Sequence, residues 1–125
     1  LPGDLGPSRA GELESARAQV MVAEAGIEAV QRLIRLEVED AVEDLKARRA
    51  ASAAYPDPLA DDARRELAAL ATELEQGRLS FDVALFTRRS LVEFLGARLR
   101  AQRALDAALV ELRHASGLPW PGESR

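Results

Sequence analysis

Residues 13–45 read LESARAQVMVAEAGIEAVQRLIRLEVEDAVEDL, and this stretch decides the fold. Apolar side chains recur through it in alternating steps of three and four residues, with one extra step of four between Ile34 and Val38. This spacing is typical of an α-helix with a heptad seam that contains a single stutter. The seam consists of Leu13, Ala16, Val20, Ala23, Ile27, Val30, Ile34, Val38, Ala41 and Leu45. We therefore predict a helix over residues 8–54, capped by Ser8 and roughly 70 Å long.

A second apolar stripe follows the same helix at Val22, Ala29, Leu33 and Leu36. A helix that is apolar on two sides needs neighbours on two sides. We expect this helix to depend on packing against other helices.

The helical pattern is interrupted at Tyr55-Pro56-Asp57-Pro58 and again at Gly77. Proline removes a backbone donor and disfavours helical geometry in the preceding residue. Asp61 or Asp62 is predicted to cap a helix over residues 61–76. Gly77 is a natural helix stop.

The last helix is predicted over residues 81–116. Ser80 precedes it as a cap, Asp82 lies in its first turn, and Gly117 follows its end. Beyond the first helix, the seam continues at Ala63, Leu67, Leu70, Leu74, Leu85, Leu95, Leu109 and Leu112.

These elements predict an all-α fold: a long antiparallel hairpin over residues 8–117, coiled-coil-like, with its tip at residues 77–80. Residues 1–7 and 118–125 are predicted to be irregular. The returning helix, roughly 55 Å long, is too short to reach residues 8–35. Their apolar faces therefore need helices from another chain or from another part of a larger protein, in a bundle or an α-barrel.

Composition excludes several classes of function. A net charge of −4 gives no electrostatic argument for binding nucleic acid or an anionic membrane. The absence of cysteine excludes disulfides, zinc–thiolate sites and a cysteine nucleophile. No apolar run approaches the roughly 20 residues of a membrane-spanning helix. The chain begins at Leu1 without a signal peptide, so we expect a mature fragment or an excised domain.

The spacing around the turn resembles that of TolC-like outer-membrane efflux proteins, including the heavy-metal branch similar to CzcC and CusC. The descending arm of that family commonly has Tyr, apolar residues at offsets of four, eight and twelve, and Gly at offset twenty-two. The corresponding residues here are Tyr55, Leu59, Ala63, Leu67 and Gly77. The family's tip is matched by Gly77-Arg78-Leu79-Ser80-Phe81 with Leu85, and the end of its return arm by Leu109-x-x-Leu112 with Gly117.

The chain also departs from the family pattern. Leu74 stands where the family often has a second Tyr, and Phe86-Thr87-Arg88 stands where it usually has Asp-Ala-Gln. Pro56 and Pro58 lie where most relatives continue as helix. The changes at Leu74 and at residues 86–88 concern the contacts of the tip and leave the hairpin prediction intact.

The resemblance implies one periplasmic hairpin of a Gram-negative outer-membrane channel that exports metal ions or small toxic compounds. Its partners would be sister hairpins, which form a trimer in the intact family, and the adaptor protein of a tripartite pump. The resemblance implies no enzyme activity, no cofactor and no metal site, and this segment would not itself span the membrane. The tip residues Gly77, Arg78, Leu79, Ser80 and Phe81 would meet the adaptor, although Gly77 is also explained by an ordinary loop that needs a positive φ angle.

Other candidate sites have simpler explanations. The arginines of the last helix are better explained by ion pairing with the facing arm than by binding of an anionic ligand. His114 lacks the companions of a catalytic or metal site, and a histidine is favoured at a helix C-terminus. The acidic pair Asp61-Asp62 lacks a calcium-loop pattern. Trp120 would pack either on the hairpin or on a neighbouring domain.

Two alternative functions remain. A self-contained coiled-coil interaction module, such as an adaptor hairpin or a dimerising bundle, explains the heptads equally well. A small helical enzyme that holds a carboxylate substrate with arginines, as helical chorismate mutases do, lacks a set of facing polar residues.

Overall fold

The computed structural model describes residues 5–118, and side chains from Ser8 onward. It contains three helices, α1 (Leu5–Ala53), α2 (Asp57–Glu75) and α3 (Phe81–Ser116), and the described residues include no strand. The predicted all-α class is confirmed. α1 begins at Leu5, earlier than the predicted cap at Ser8. Trp120 and most of the predicted C-terminal tail lie outside the described residues.

The chain divides into two compact units, with the boundary between Glu39 and Asp40 inside α1. In the first unit, every side chain from Ser8 to Glu37 is exposed. Both apolar stripes of α1 are therefore open to solvent within this range.

The second unit contains the end of α1 together with α2 and α3, and the three helical segments pack together. Its buried residues are nearly all small: Ala60, Ala63, Leu70, Ala84 and Ala108. Alanine at these positions allows the helix backbones to approach closely, so the core is thin. Ala41, Val42 and Leu45 of α1 are half-buried in this unit.

The break between α1 and α2 lies at the predicted Tyr-Pro sequence, but α2 starts earlier than expected. Pro56, with φ −65° and ψ 150°, occupies the N-cap position, and Asp57 is the first helical residue. The prediction of a restart at Asp61 or Asp62 is therefore wrong. Proline is tolerated in the first turn, where the backbone N–H has no helical acceptor, so Pro58 does not delay the helix.

Asp61 and Asp62 instead lie within α2, where each forms an ion pair with the arginine three residues later. The Asp61–Arg64 distance is 2.8 Å, and Asp62 pairs with Arg65. The acidic pair is thus explained by local pairing on the helix surface.

The turn between α2 and α3 follows the sequence prediction closely. Gly77 has φ +70°, and the backbone N–H groups of Gly77 and Arg78 donate to the carbonyls of Leu74 and Glu73, at 3.1 and 3.0 Å. This is the Schellman arrangement that glycine allows at a helix end. Ser80 caps α3 by accepting a hydrogen bond from Val83 N at 3.4 Å. Gly117, with φ +67°, ends α3 as predicted.

Candidate interaction surfaces

The predicted tip residues lie together in the turn and at the start of α3. Arg78, Ser80 and Phe81 are exposed, and Phe81 has 66% of its surface accessible. Leu79, which the family resemblance also implies as a residue that would meet the adaptor, is half-buried. The apolar group that the tip presents to solvent is therefore Phe81.

An apolar groove lies beside the tip, between α2 and α3. It has a volume of about 530 Å³ and is open to solvent. α2 contributes Leu67, Leu70, Ala71 and Leu74, and α3 contributes Phe81, Ala84, Leu85, Arg88 and Val92. Sequence reasoning did not identify this groove, although the helical spacing of these residues on either side of the predicted turn carries the signal.

The predicted seam residues differ in exposure. Exposed are Leu13, Val20, Ile27, Ile34, Leu85 and Leu109; half-buried are Val38, Leu45, Leu67, Leu74, Leu95 and Leu112. Two predicted seam residues of α2, Ala63 and Leu70, are buried. The other buried residues, Ala60, Ala84 and Ala108, are alanines that the seam prediction left out.

One exposed apolar surface of the N-terminal unit is the α1 seam, defined here as Leu13, Ala16, Val20, Ala23, Ile27, Val30 and Ile34. Its large members have between 46% and 60% of their surface accessible. The second stripe is equally open, with Val22 73% accessible. Surfaces of this kind mark interaction sites in soluble proteins.

The arginines of α3 do not form a single basic stripe. Arg98 is turned inward, and its side chain is only 14% exposed. It pairs with Asp57 of α2, as the ion-pair interpretation predicted for this helix. Arg88, Arg89, Arg100 and Arg103 are exposed.

The remaining candidates have structural roles or no observed role. His114 lies in the last turn of α3, exposed, and its carbonyl accepts a hydrogen bond from Gly117 N at 3.2 Å. Within residues 5–118, no group of three or more His, Cys, Asp or Glu side chains is placed to hold a metal ion. None of the helices in that range is both long and apolar enough to cross a membrane.

Comparisons with protein-family models, with curated proteins and with solved structures gave no match to this chain.

Proposed function

We propose that the chain is a non-enzymatic assembly segment whose α1 helix is covered by further helices in the working complex. The observation that carries this proposal is the exposure of both apolar stripes of α1 over residues 8–37. Burying an apolar side chain of the size of Leu or Ile stabilises a structure by roughly 1.5–3 kcal/mol. The exposed apolar side chains of α1 do not contribute this stabilisation in the isolated chain. Assembly with further helices would bury them and so stabilise the complex.

The specific form that we propose is a wall segment of an outer-membrane efflux channel, in the periplasm of a Gram-negative bacterium. The long α1, the short turn at Gly77 and the return helix α3 correspond in order to the hairpin of TolC-like channels. Support for this form comes from the register of Tyr55, Leu67 and Gly77 with that family's pattern. The transported compounds would be metal ions or small toxic molecules.

In this form the chain has two kinds of partner. Sister hairpins, three in the intact family, would complete a bundle or α-barrel by covering α1. The adaptor protein of a tripartite pump would dock at the tip, where Phe81 is exposed and the neighbouring groove between α2 and α3 is apolar. An exposed aromatic group beside a charged residue such as Arg78 suits a docking contact.

A second candidate is a self-contained coiled-coil interaction module. The observation that favours it is the regularity of the α1 seam, which continues through heptads as in helices that pair with one partner helix. Flanking sequence separates the two forms, because a channel requires amphipathic strands and a second similar hairpin elsewhere in the protein.

The shared premise is tested by sedimentation and solution scattering of the purified chain. We expect concentration-dependent association, and we expect the double variant V20N/I27N to reduce it. The matched control is A18N/A25N, because Ala18 and Ala25 are exposed on the same helix but lie off the seam. A chain that stays monomeric at all concentrations while α1 remains fully helical would contradict the proposal.

A further inference from the structure

The α1 seam contains large and small residues in regular alternation. Large residues occupy one heptad position, at Leu13, Val20, Ile27 and Ile34. The other heptad position holds Ala16 and Ala23, followed by Val30. Two copies of this seam would therefore fit together differently in parallel and in antiparallel orientation.

In a parallel pair, each residue meets its own copy, so that Ile27 would face Ile27 and Ala23 would face Ala23. Wide and narrow layers would alternate, which leaves gaps beside the alanines. In an antiparallel pair the two heptad positions face each other, and Ala16 lies opposite Ile27 of the second copy. The four central layers, in which an alanine faces Ile27 or Val20, then have similar width, and the opposed helix dipoles also favour this orientation.

The charged residues beside the seam favour one antiparallel register over the others. Arg17 and Glu24 lie one heptad apart on the same flank, both are exposed, and neither forms an ion pair within the described residues. When Val20 lies opposite Ala23 of the second copy, Arg17 lies opposite Glu24 of the second copy, and symmetry repeats the pair. Shifting the register by one heptad brings Glu24 against Glu24 in one direction and Arg17 against Arg17 in the other. Like charges at these positions are unfavourable.

We infer that the α1 seam binds the α1 seam of a second copy of this chain, antiparallel, with Val20 opposite Ala23 and Arg17 opposite Glu24. The contact would extend over residues 9–34, roughly 39 Å of helix, which covers the three to four heptads that a stable coiled coil requires. It has two-fold symmetry, so each copy uses the same surface and the assembly closes at two chains. The inference rests on the proposed assembly role in its second form, the self-contained coiled-coil module, because the sister hairpins of a channel would all point in the same direction.

Cysteine cross-linking tests the orientation, and the chain offers a clean background because it contains no cysteine. In the antiparallel pair Leu13 lies opposite Val30, far from Leu13 of the other copy. A mixture of the L13C and V30C variants should therefore form a cross-linked heterodimer under mild oxidation, and L13C alone should not cross-link. Efficient cross-linking of L13C with itself would show a parallel pair and would overturn the inference, while leaving the proposed assembly role standing.

Charge reversal tests the register independently. R17E alone and E24R alone should each weaken self-association by about tenfold, and the double variant R17E/E24R should restore it, because the pair is re-formed with opposite polarity. Glu12 provides the control: in a parallel pair it lies beside Arg17 of the other copy, whereas in the antiparallel pair it faces Leu33. E12R should therefore leave association unchanged.

Two results distinguish a failure of this inference from a failure of the proposed assembly role. Association that is insensitive to both single reversals, or that the double variant fails to restore, overturns this register and orientation only. A chain that does not associate at any concentration, with circular dichroism showing α1 still helical, overturns the assembly role as well.

Discussion

Arg98, in the middle of α3, donates a hydrogen bond from Nη2 to the carboxylate of Asp57, the first residue of α2. The two residues differ sharply in exposure, since the Arg98 side chain is 14% exposed and that of Asp57 is 81% exposed. Arg98 Nε is buried without a hydrogen-bond acceptor. The guanidinium has thus lost much of its hydration while gaining one charged acceptor, so the two partners should respond unequally to substitution.

Asp57→Ala should lower the free energy of unfolding by about 1 kcal/mol. It removes the acceptor of Arg98 and also a carboxylate from the first turn of α2, where the helix dipole favours negative charge. Arg98→Met should cost less, because it removes the unsatisfied Nε and keeps an apolar stem at the same place. Denaturant unfolding measures both changes. Asp61→Ala is the control, since its pair with Arg64 is local and exposed. A larger loss of stability in Arg98→Met than in Asp57→Ala would refute this reasoning.

Tyr55 and Phe94 should show measurable coupling across the α1–α2 break. Their ring centroids are 5.6 Å apart with an interplanar angle of 58°, a tilted arrangement that aromatic pairs favour. Tyr55→Ala and Phe94→Ala should each destabilise the chain. The double variant should fall short of their sum by about 0.5–1.5 kcal/mol.

Tyr55→Phe keeps the ring and should be close to neutral, which separates the ring contact from any role of the hydroxyl. Strict additivity of the two alanine substitutions would show that the ring contact contributes nothing beyond burial.

Ala60 should tolerate no larger side chain. It is completely inaccessible to solvent, at the start of α2, and Ala60→Leu would force the surrounding helices apart at a cost of roughly 1–3 kcal/mol. Ala68→Leu adds the same atoms at an exposed position of the same helix and should change stability by less than about 0.5 kcal/mol. Equal effects of the two substitutions, measured by thermal or denaturant unfolding, would mean that close helix packing is not what selects alanine here.

The sequence predicted the order and ends of the helices well wherever one residue type has a strong backbone preference. Gly77, Ser80 and Gly117 each occupy the predicted cap or turn position, because these positions need a positive φ angle or a side-chain acceptor. The start of α2 was predicted wrongly because Pro58 was interpreted as a barrier. In the first helical turn proline is tolerated, because its missing N–H would have no helical acceptor there, and the helix begins at Asp57.

The interaction surfaces were less predictable. The α1 seam could be predicted from its heptad spacing, but heptad spacing alone does not show which apolar residues are buried by other residues of the same chain. Leu85 and Val92 are exposed in the open groove, whereas Ala84, which also lines it, is buried, and this difference depends on the rotation of α3 about its own axis. Heptad spacing does not reveal that rotation, because buried alanines such as Ala84 and Ala108 carry little hydrophobic signal in sequence.

Two glycines of this chain should respond to alanine with opposite signs. Gly77 has φ +70°, a conformation that costs an alanine roughly 1–2 kcal/mol, so Gly77→Ala should destabilise the turn between α2 and α3. Gly26 lies within α1, and a Cβ added there meets no atom within 4 Å. Gly26→Ala should therefore raise the helix content and stabilise α1 by about 1 kcal/mol, the difference in helix propensity between the two residues. Circular dichroism during thermal unfolding measures both effects. Gly11→Ala is the control for Gly26, because a Cβ added at Gly11 on α1 also meets no atom within 4 Å. A loss of helix content in Gly26→Ala alone would show that a neighbouring group approaches the backbone at this position too closely for any residue but glycine.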